Sequence, residues 1–260
     1  MVCFMSKSIF ISGGAAGIGR QVALRFHREG WIVGVYDRDE QALAALRGEY
    51  PEIVTGPLDV TDAQQWEEAL ADFTSHTGGR LDVLDNNAGI IGDGDIVDQD
   101  PGLIAAQNNV NCTGAVLGAR AAHRYLKATK GSHLVNMGSA SAIYGQPHII
   151  PYSASKFYLT GLSEALDLEW RRDGIRVVCL MPLWVKTTLA DVEAASTKRL
   201  GVRITPERVS ETVWKAVNPR TIIERQRRFY SVSTADLVLR YLRRIAPQPL
   251  ARLANLVIAG

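Results

Sequence analysis

Short aliphatic and β-branched runs alternate with longer amphipathic stretches through most of the chain, and that alternation predicts elements of two kinds. Residues 8–11, 31–36, a short run within 52–58, 81–84, 133–137 and 176–181 read as strands. Between them, 20–29, 41–50, 63–77, 103–128 and 153–173 read as helices, the first with Val22, Ala23 and Phe26 on one face. Parallel strands need crossovers, and crossovers lay helices over a sheet. The repeated strand–helix unit therefore predicts an α/β fold, a doubly wound parallel sheet with helices on both faces. No repeat of solenoid period, low-complexity tract or Pro/Gly/Ser-rich linker interrupts it. The 260 residues are expected to form one domain, with a core at 6–190, a substrate lid at about 187–219 and a tail at about 227–260.

Hydrophobic residues at 47% and charged residues at 22% exclude disordered, collagenous and fibrous classes. A net charge of +2 gives no global field to recruit nucleic acid, and none is expected as a partner. The charge is uneven. From Arg220 onward there are eight arginines and no lysines against Glu224 and Asp236, a local +6 that leaves −4 for residues 1–219. The three cysteines, Cys3, Cys112 and Cys179, are too few and scattered for a disulfide framework or metal cluster and fit a reducing compartment. The opening residues lack a basic n-region and cleavage pattern, and no run reaches the roughly 18 apolar residues of a spanning helix. A soluble, cytoplasmic protein is the expectation. Met5, directly before the first strand, is a candidate start, with residues 1–4 an extension.

The first strand runs into Ser12-Gly13-Gly14-Ala15-Ala16-Gly17-Ile18-Gly19, after which a helix begins. Glycines between strand and helix allow a tight turn and close approach of a pyrophosphate to the free N–H groups at the positive helix end. A lone glycine run also suits an ordinary turn; here the strand–loop–helix context is present. Asp37 ends the second strand 18 residues after Gly19, where a dinucleotide fold places the acid that binds the adenosine ribose. A carboxylate there accepts from both hydroxyls and repels a 2′-phosphate, which favours NAD over NADP. Arg38 beside it can stack on adenine or tolerate a phosphate, and Asp37 could instead cap the next helix.

Tyr152-Ser153-Ala154-Ser155-Lys156 opens a helix, and the four-residue spacing puts phenol and ammonium on one face. A nearby ammonium stabilises phenolate, so the tyrosine pKa is expected to fall from about 10 toward the working pH. Ser12 to Gly19, Asp59, Asn87-Ala88-Gly89, Asn111, Ser139, Tyr152 and Lys156 together resemble a short-chain dehydrogenase/reductase over residues 8–190, with Ser139 at the family's spacing, 13 residues before Tyr152. The resemblance implies a Rossmann-type fold and an NAD(P)-dependent oxidoreductase acting on an alcohol or carbonyl. Tyr152 would exchange a proton with the substrate oxygen while hydride passes to or from nicotinamide. Lys156 would hold the nicotinamide ribose and acidify the phenol, and Ser139 would hydrogen-bond the reacting oxygen, with Ser141 as a rival. Asn111 would hold a water near Lys156, with Asn108 and Asn109 as competitors.

On the cofactor side, Gly13, Ala16, Gly17, Ile18 and Gly19 would form the phosphate loop. Asp37 and Arg38 would meet the adenosine, Asp59 and Val60 the adenine, and Asn87, Ala88 and Gly89 the ribose and phosphates, while Asn86 would tie strands together. Pro182, Val185 and Thr187 match the segment that binds the carboxamide, but Leu183 stands where the family has glycine. A non-catalytic nucleotide-binding regulator has no need of Tyr152, Lys156 and Ser139. An epimerase or dehydratase of the extended type needs a larger substrate domain. The resemblance also implies a homodimer or homotetramer built through the helices around Asn111 and Tyr152.

Ile90 and Ile91, then Ile143, Tyr144, His148, Ile149 and Ile150, then Leu189, Val192 and Leu200 are expected around the substrate, an apolar set suited to a hydrophobic alcohol or ketone. The family often ends in a seventh strand with a glycine-rich finish. Here Arg227-Arg228-Phe229-Tyr230-Ser231-Val232 stands instead, followed by a helix at 234–245 with Leu237, Val238, Tyr241, Leu242 and Ile245 on one face. After Pro247 and Pro249, Leu250, Leu253, Leu256 and Val257 repeat the spacing. Such a basic amphipathic tail packs on the body, on a second subunit, or on an anionic membrane surface.

Overall fold

The computed structural model describes residues 6–190, 192 and 194–259; Cys3 and the candidate start at Met5 lie outside the described residues, as does the side chain of Leu200. Seven parallel strands, β1 (Ser8–Ser12), β2 (Ile32–Asp37), β3 (Val54–Pro57), β4 (Val83–Asn86), β5 (His133–Met137), β6 (Arg176–Leu180) and β7 (Phe229–Tyr230), form one sheet in the order β3-β2-β1-β4-β5-β6-β7. The order reverses between β1 and β4, which opens a crevice at the carboxyl ends of the strands. The helices are α1 (Gly17–Arg28), α2 (Glu40–Glu49), α3 (Ala63–Ser75), α4 (Pro101–Asn108), α5 (Gly114–Ala128), α6 (Ile150–Trp170), α7 (Ala195–Leu200), α8 (Pro206–Val217), α9 (Ile222–Gln226), α10 (Thr234–Ile245) and α11 (Gln248–Ala259). This is the doubly wound Rossmann-type architecture.

Because successive strand residues face opposite ways, an apolar run is buried on both sides. Ile9, Ile11, Val33, Val35, Val83, Val135 and Val178 meet Val22, Ala23 and Phe26 of α1 and Val209 and Val213 of α8. On the other face Phe10, Leu84, Leu134 and Val177 meet Trp66, Leu70 and Phe73 of α3 and Ala119, Ala122 and Leu126 of α5. Truncating a fully buried aromatic such as Phe26 to alanine is expected to cost about 3–5 kcal/mol.

Beyond shifts of a few residues at element ends, three features depart from the hydrophobic pattern. The fourth strand was expected at 81–84, but β4 includes the polar Asp85 and Asn86, which pair with Ile11 and Ser12 of β1, while Leu81 N–H donates to Thr129 Oγ1. The helical run expected at 103–128 is split by one π turn, Asn109–Thr113, which inserts a residue and turns Asn111 inward. A seventh strand forms after all: Cys179 and Met181 N–H donate to the carbonyls of Arg228 and Tyr230, and two residues are too short to show as a run. Arg176 fastens this return, donating to the carbonyls of Ala216, Glu224, Arg225 and Arg227 and to the Tyr230 hydroxyl.

Candidate active site

The turn between β1 and α1 is drawn against the end of β4. Gly13 has φ of 64°, and a Cβ on it would lie 2.7 Å from Ala88 Cα, so only glycine allows the approach. Asn87 Nδ2 clamps the turn, donating to the carbonyls of Gly13 at 2.7 Å and Ser12 at 3.2 Å. The helix that follows begins at Gly17, also at positive φ, and its N-cap, Ala16, supplies no side-chain acceptor. The first-turn N–H groups of α1 thus lack the cap that Asp39 gives α2 and Asp62 gives α3.

At the end of β2, Asp37 is half-buried, one carboxylate oxygen accepting from Ala15 N–H at 3.1 Å and the other from Asp39 N–H at 3.2 Å. Asp59 accepts from the Thr61 hydroxyl and N–H; these bonds, with the Arg38 charge added, hold its carboxyl below the usual range. Arg38 itself is exposed at the rim.

Three elements bring the catalytic candidates together. Tyr152 and Lys156 lie on the first turns of α6, Ser139 follows β5, and the π turn supplies Asn111. The Ser139 hydroxyl hydrogen-bonds the Tyr152 phenol and accepts from Ser141 N–H at 3.1 Å, so it is Ser139 and not Ser141 that meets the phenol. Lys156 is buried, donates to the Met137 carbonyl at 2.8 Å, and sits 5.3 Å from the Tyr152 ring centroid. Burial pushes the ammonium down to about 8 and the phenol up to about 12, the Ser139 bond pulling the latter back only in part. With protein groups alone, the phenol is therefore less acidic than usual, against the expectation from the Tyr–Lys spacing: desolvation dominates, and the ammonium is aimed at the Met137 carbonyl. Asn111 donates to Ile90 O at 2.9 Å and Ser155 Oγ at 3.0 Å and accepts from Ile90 N–H. Asn86 Nδ2 donates to Ala115 O and Asn136 Oδ1, tying β4 to α5 and β5 as its place in the sequence suggests.

Ser139, Tyr152 and Lys156 line a cleft of about 360 Å³ that runs from Asp37 across the glycine turn to Tyr152 and on to Tyr144 and Leu189. Gly13, Ala16, Gly17, Ile18, Asp37, Arg38, Asp59, Val60, Asn87, Ala88, Gly89, Ser139, Tyr152, Lys156, Pro182, Val185 and Thr187 all line it. Gly19 and Asn111 are not on its wall. Gly19 is buried inside α1, where a Cβ would come 2.5 Å from Asn87 Nδ2, so it serves helix–strand contact. Asn111 sits one layer back, though its Oδ1 and Lys156 Nζ both flank Gly89. Pro182 O accepts from Ala140 N–H, and Trp184 Nε1 donates to Ser196 Oγ at 3.1 Å, tying the roof to α7. Of the expected substrate residues, Ile90, Tyr144 and Leu189 reach the cleft. His148 does not: it adopts φ of 64° and pairs with Asp95 at 3.1 Å. Sequence reasoning missed Gln146, a polar residue in a segment read for its apolar side chains, and Leu239 and Ile258 from the tail, which only the fold brings to the cleft. It also missed Ser155, which sits one residue before Lys156 and donates to the Tyr152 carbonyl.

The family model for short chain dehydrogenase matches residues 7–198. The chain belongs to that family. A 3-alpha-(or 20-beta)-hydroxysteroid dehydrogenase of Mycobacterium bovis is 34% identical over 72% of this chain and 72% of its own length. The sex determination protein tasselseed-2 of Zea mays is 33% identical over 70% of this chain, which spans 56% of the maize protein. Among solved structures, a short chain dehydrogenase/reductase from Burkholderia phymatum in complex with NAD superposes with a TM-score of 0.80 at 25% identity, covering 94% of this chain and 95% of that one. As a short-chain dehydrogenase, the protein is an oxidoreductase of the CH–OH/C=O class with a nicotinamide cofactor. Its own residues fit that group: the uncapped start of α1 faces the cleft for a pyrophosphate, and Gly17 leaves open the room toward Thr187 that a Cβ would fill.

Proposed function

We propose that this dehydrogenase uses NAD rather than NADP to interconvert a secondary alcohol and a ketone on an apolar small molecule, with Tyr152 exchanging the proton. The observation that carries the reading is the convergence of the Ser139 hydroxyl, the Tyr152 phenol and the Lys156 ammonium at one end of a cleft whose other end holds Asp37. When bound, the nicotinamide supplies the hydride chemistry and, oxidised, a positive charge.

Ser139 orients the substrate oxygen by a hydrogen bond and shares it with the phenol. Tyr152, held protonated by burial, is ready to donate to a carbonyl oxygen in reduction. In oxidation the phenol must first give up its proton. Lys156, cationic below about 8, favours the phenolate and has N–H donors beyond the one spent on Met137 for a ribose. Asn111 fixes Ile90 and Ser155, and the remaining lone pair of its Oδ1 is available to a water beside Lys156.

NAD is favoured because Asp37 presents a carboxylate at the rim where a 2′-phosphate would lie, and Arg38 spends charge on Asp59. An apolar substrate is supported by Ile90, Tyr144, Leu183, Leu189, Leu239 and Ile258 in the cleft, and by a relative named for hydroxysteroids. Exposed Phe157, Tyr158 and Leu168 on α6 support assembly as a homodimer or homotetramer, and the basic tail suits an anionic membrane surface. The test is a panel of hydrophobic secondary alcohols with NAD and NADP in parallel, following absorbance of the reduced nicotinamide. Turnover with NAD at least about tenfold above NADP is expected; no turnover, or a preference for NADP, contradicts the reading.

A further inference from the structure

The tail helices are packed inside out. From α10, Asp236 and Leu239 face the body: Asp236 is fully buried, accepting from the N–H groups of Val232 and Ser233, and Leu239 packs against Ala140, Tyr144 and Met181. Arg240 is half-buried and Arg243 lies over the Tyr144 ring at 5.5 Å. From α11, Ala251 is buried in the same cluster and Asn255 Nδ2 donates to Gly145 O at 2.9 Å. The outer face is the apolar one. Val238, Tyr241, Leu242 and Ile245 of α10 and Leu253 and Val257 of α11 are all at least half exposed, Ile245 by 75%. Water is a poor solvent for an apolar face built from two consecutive helices, and such exposed faces mark interaction sites.

We infer that α10 and α11 form an interfacial docking surface that lies in the headgroup layer of an anionic membrane, with the outer face in the acyl boundary. Charge selects this occupant over a second copy. From 234 to 259 the only acid is Asp236, which is buried and spent on backbone, whereas Arg243, Arg244 and Arg252 are exposed. Two such faces would bring arginines together across a twofold, but a surface of anionic headgroups complements them, and each basic side chain near such a surface adds to binding. The hairpin also has two functions in one body, since Leu239 and Ile258 on its inner side line the cleft. Resting on the oxidoreductase reading above, this places the substrate end of the cleft at the membrane, where an apolar alcohol is concentrated.

Sedimentation of the full chain with phosphatidylglycerol/phosphatidylcholine vesicles and with pure phosphatidylcholine vesicles tests the docking without any turnover. Pelleting with the anionic vesicles only is expected, and both Leu242→Glu/Leu253→Glu and Arg244→Glu/Arg252→Glu should weaken it at least about tenfold. Retained NADH binding by each variant shows that it is folded. Protein that stays in the supernatant with both vesicles, or variants that pellet as well as the original, would overturn the inference. So would a lipid-free dimer that Leu242→Glu/Leu253→Glu dissociates in the ultracentrifuge, since the face would then join two copies. Docking without turnover of any alcohol leaves the membrane surface standing and strikes the catalytic reading instead.

Discussion

Lys156 gives one N–H to the Met137 carbonyl and holds the rest of its charge under a phenol that burial has made a weaker acid. We propose that in this arrangement the ammonium limits the damage that desolvation does to phenolate. Lys156→Met should therefore raise the pKa of the ascending limb of the kcat/KM profile for alcohol oxidation by at least about one unit, with a smaller change for reduction. A profile unchanged in position would show that the ammonium does not act on the phenol. At the cofactor rim, Asp37→Ala removes the carboxylate that Ala15 and Asp39 N–H groups orient. The ratio of kcat/KM for NAD over NADP should fall by at least about tenfold, read from parallel initial rates.

Among the elements, β4 carries a cost inside the sheet. Asp85 is fully buried between Ile11 and Val135, neither carboxylate oxygen has a hydrogen-bond partner among the described residues, and burial pushes its pKa up to about 8. The folded state thus binds this proton more tightly than the unfolded chain. The group's contribution is fully present below about pH 4 and is lost as pH rises through about 8, an effect on the order of 5 kcal/mol. Asp85→Val should stabilise the protein at pH 8 and remove that slope, which the difference between wild-type and variant urea midpoints across pH 5–8 would show; parallel curves would contradict it. The sequence pattern could not locate this strand end, because a strand is recognised by apolar side chains and β4 finishes in Asp85 and Asn86. The β1, β2, β5 and α1 positions were legible because their apolar periodicity coincides with their burial, and the Gly13–Gly19 turn and Tyr152–Lys156 pair because their chemistry fixes their spacing. The π turn at Asn109–Thr113 was not, since one inserted residue leaves the helical composition unchanged.

The whole molecule draws its cleft from distant parts of the chain: β1 and β2 bring the glycine turn and Asp37, β5 and α6 the Ser139, Tyr152 and Lys156 side chains, and α10 and α11 the far wall. All three core clusters draw on the sheet, so one unfolding transition by circular dichroism and by tryptophan fluorescence is expected, consistent with a single domain; two separated midpoints would contradict it. The outward apolar face of the tail, by contrast, was visible in the sequence as an amphipathic stripe, but its direction depends on Asp236 and Leu239 anchoring the opposite side. The measurement that reaches the central claim most directly is turnover by Tyr152→Phe alongside its affinity for NADH. Loss of at least about two orders of magnitude in kcat with NADH affinity within about threefold is the predicted result. A near-normal kcat in that variant would show that the proton comes and goes by another group.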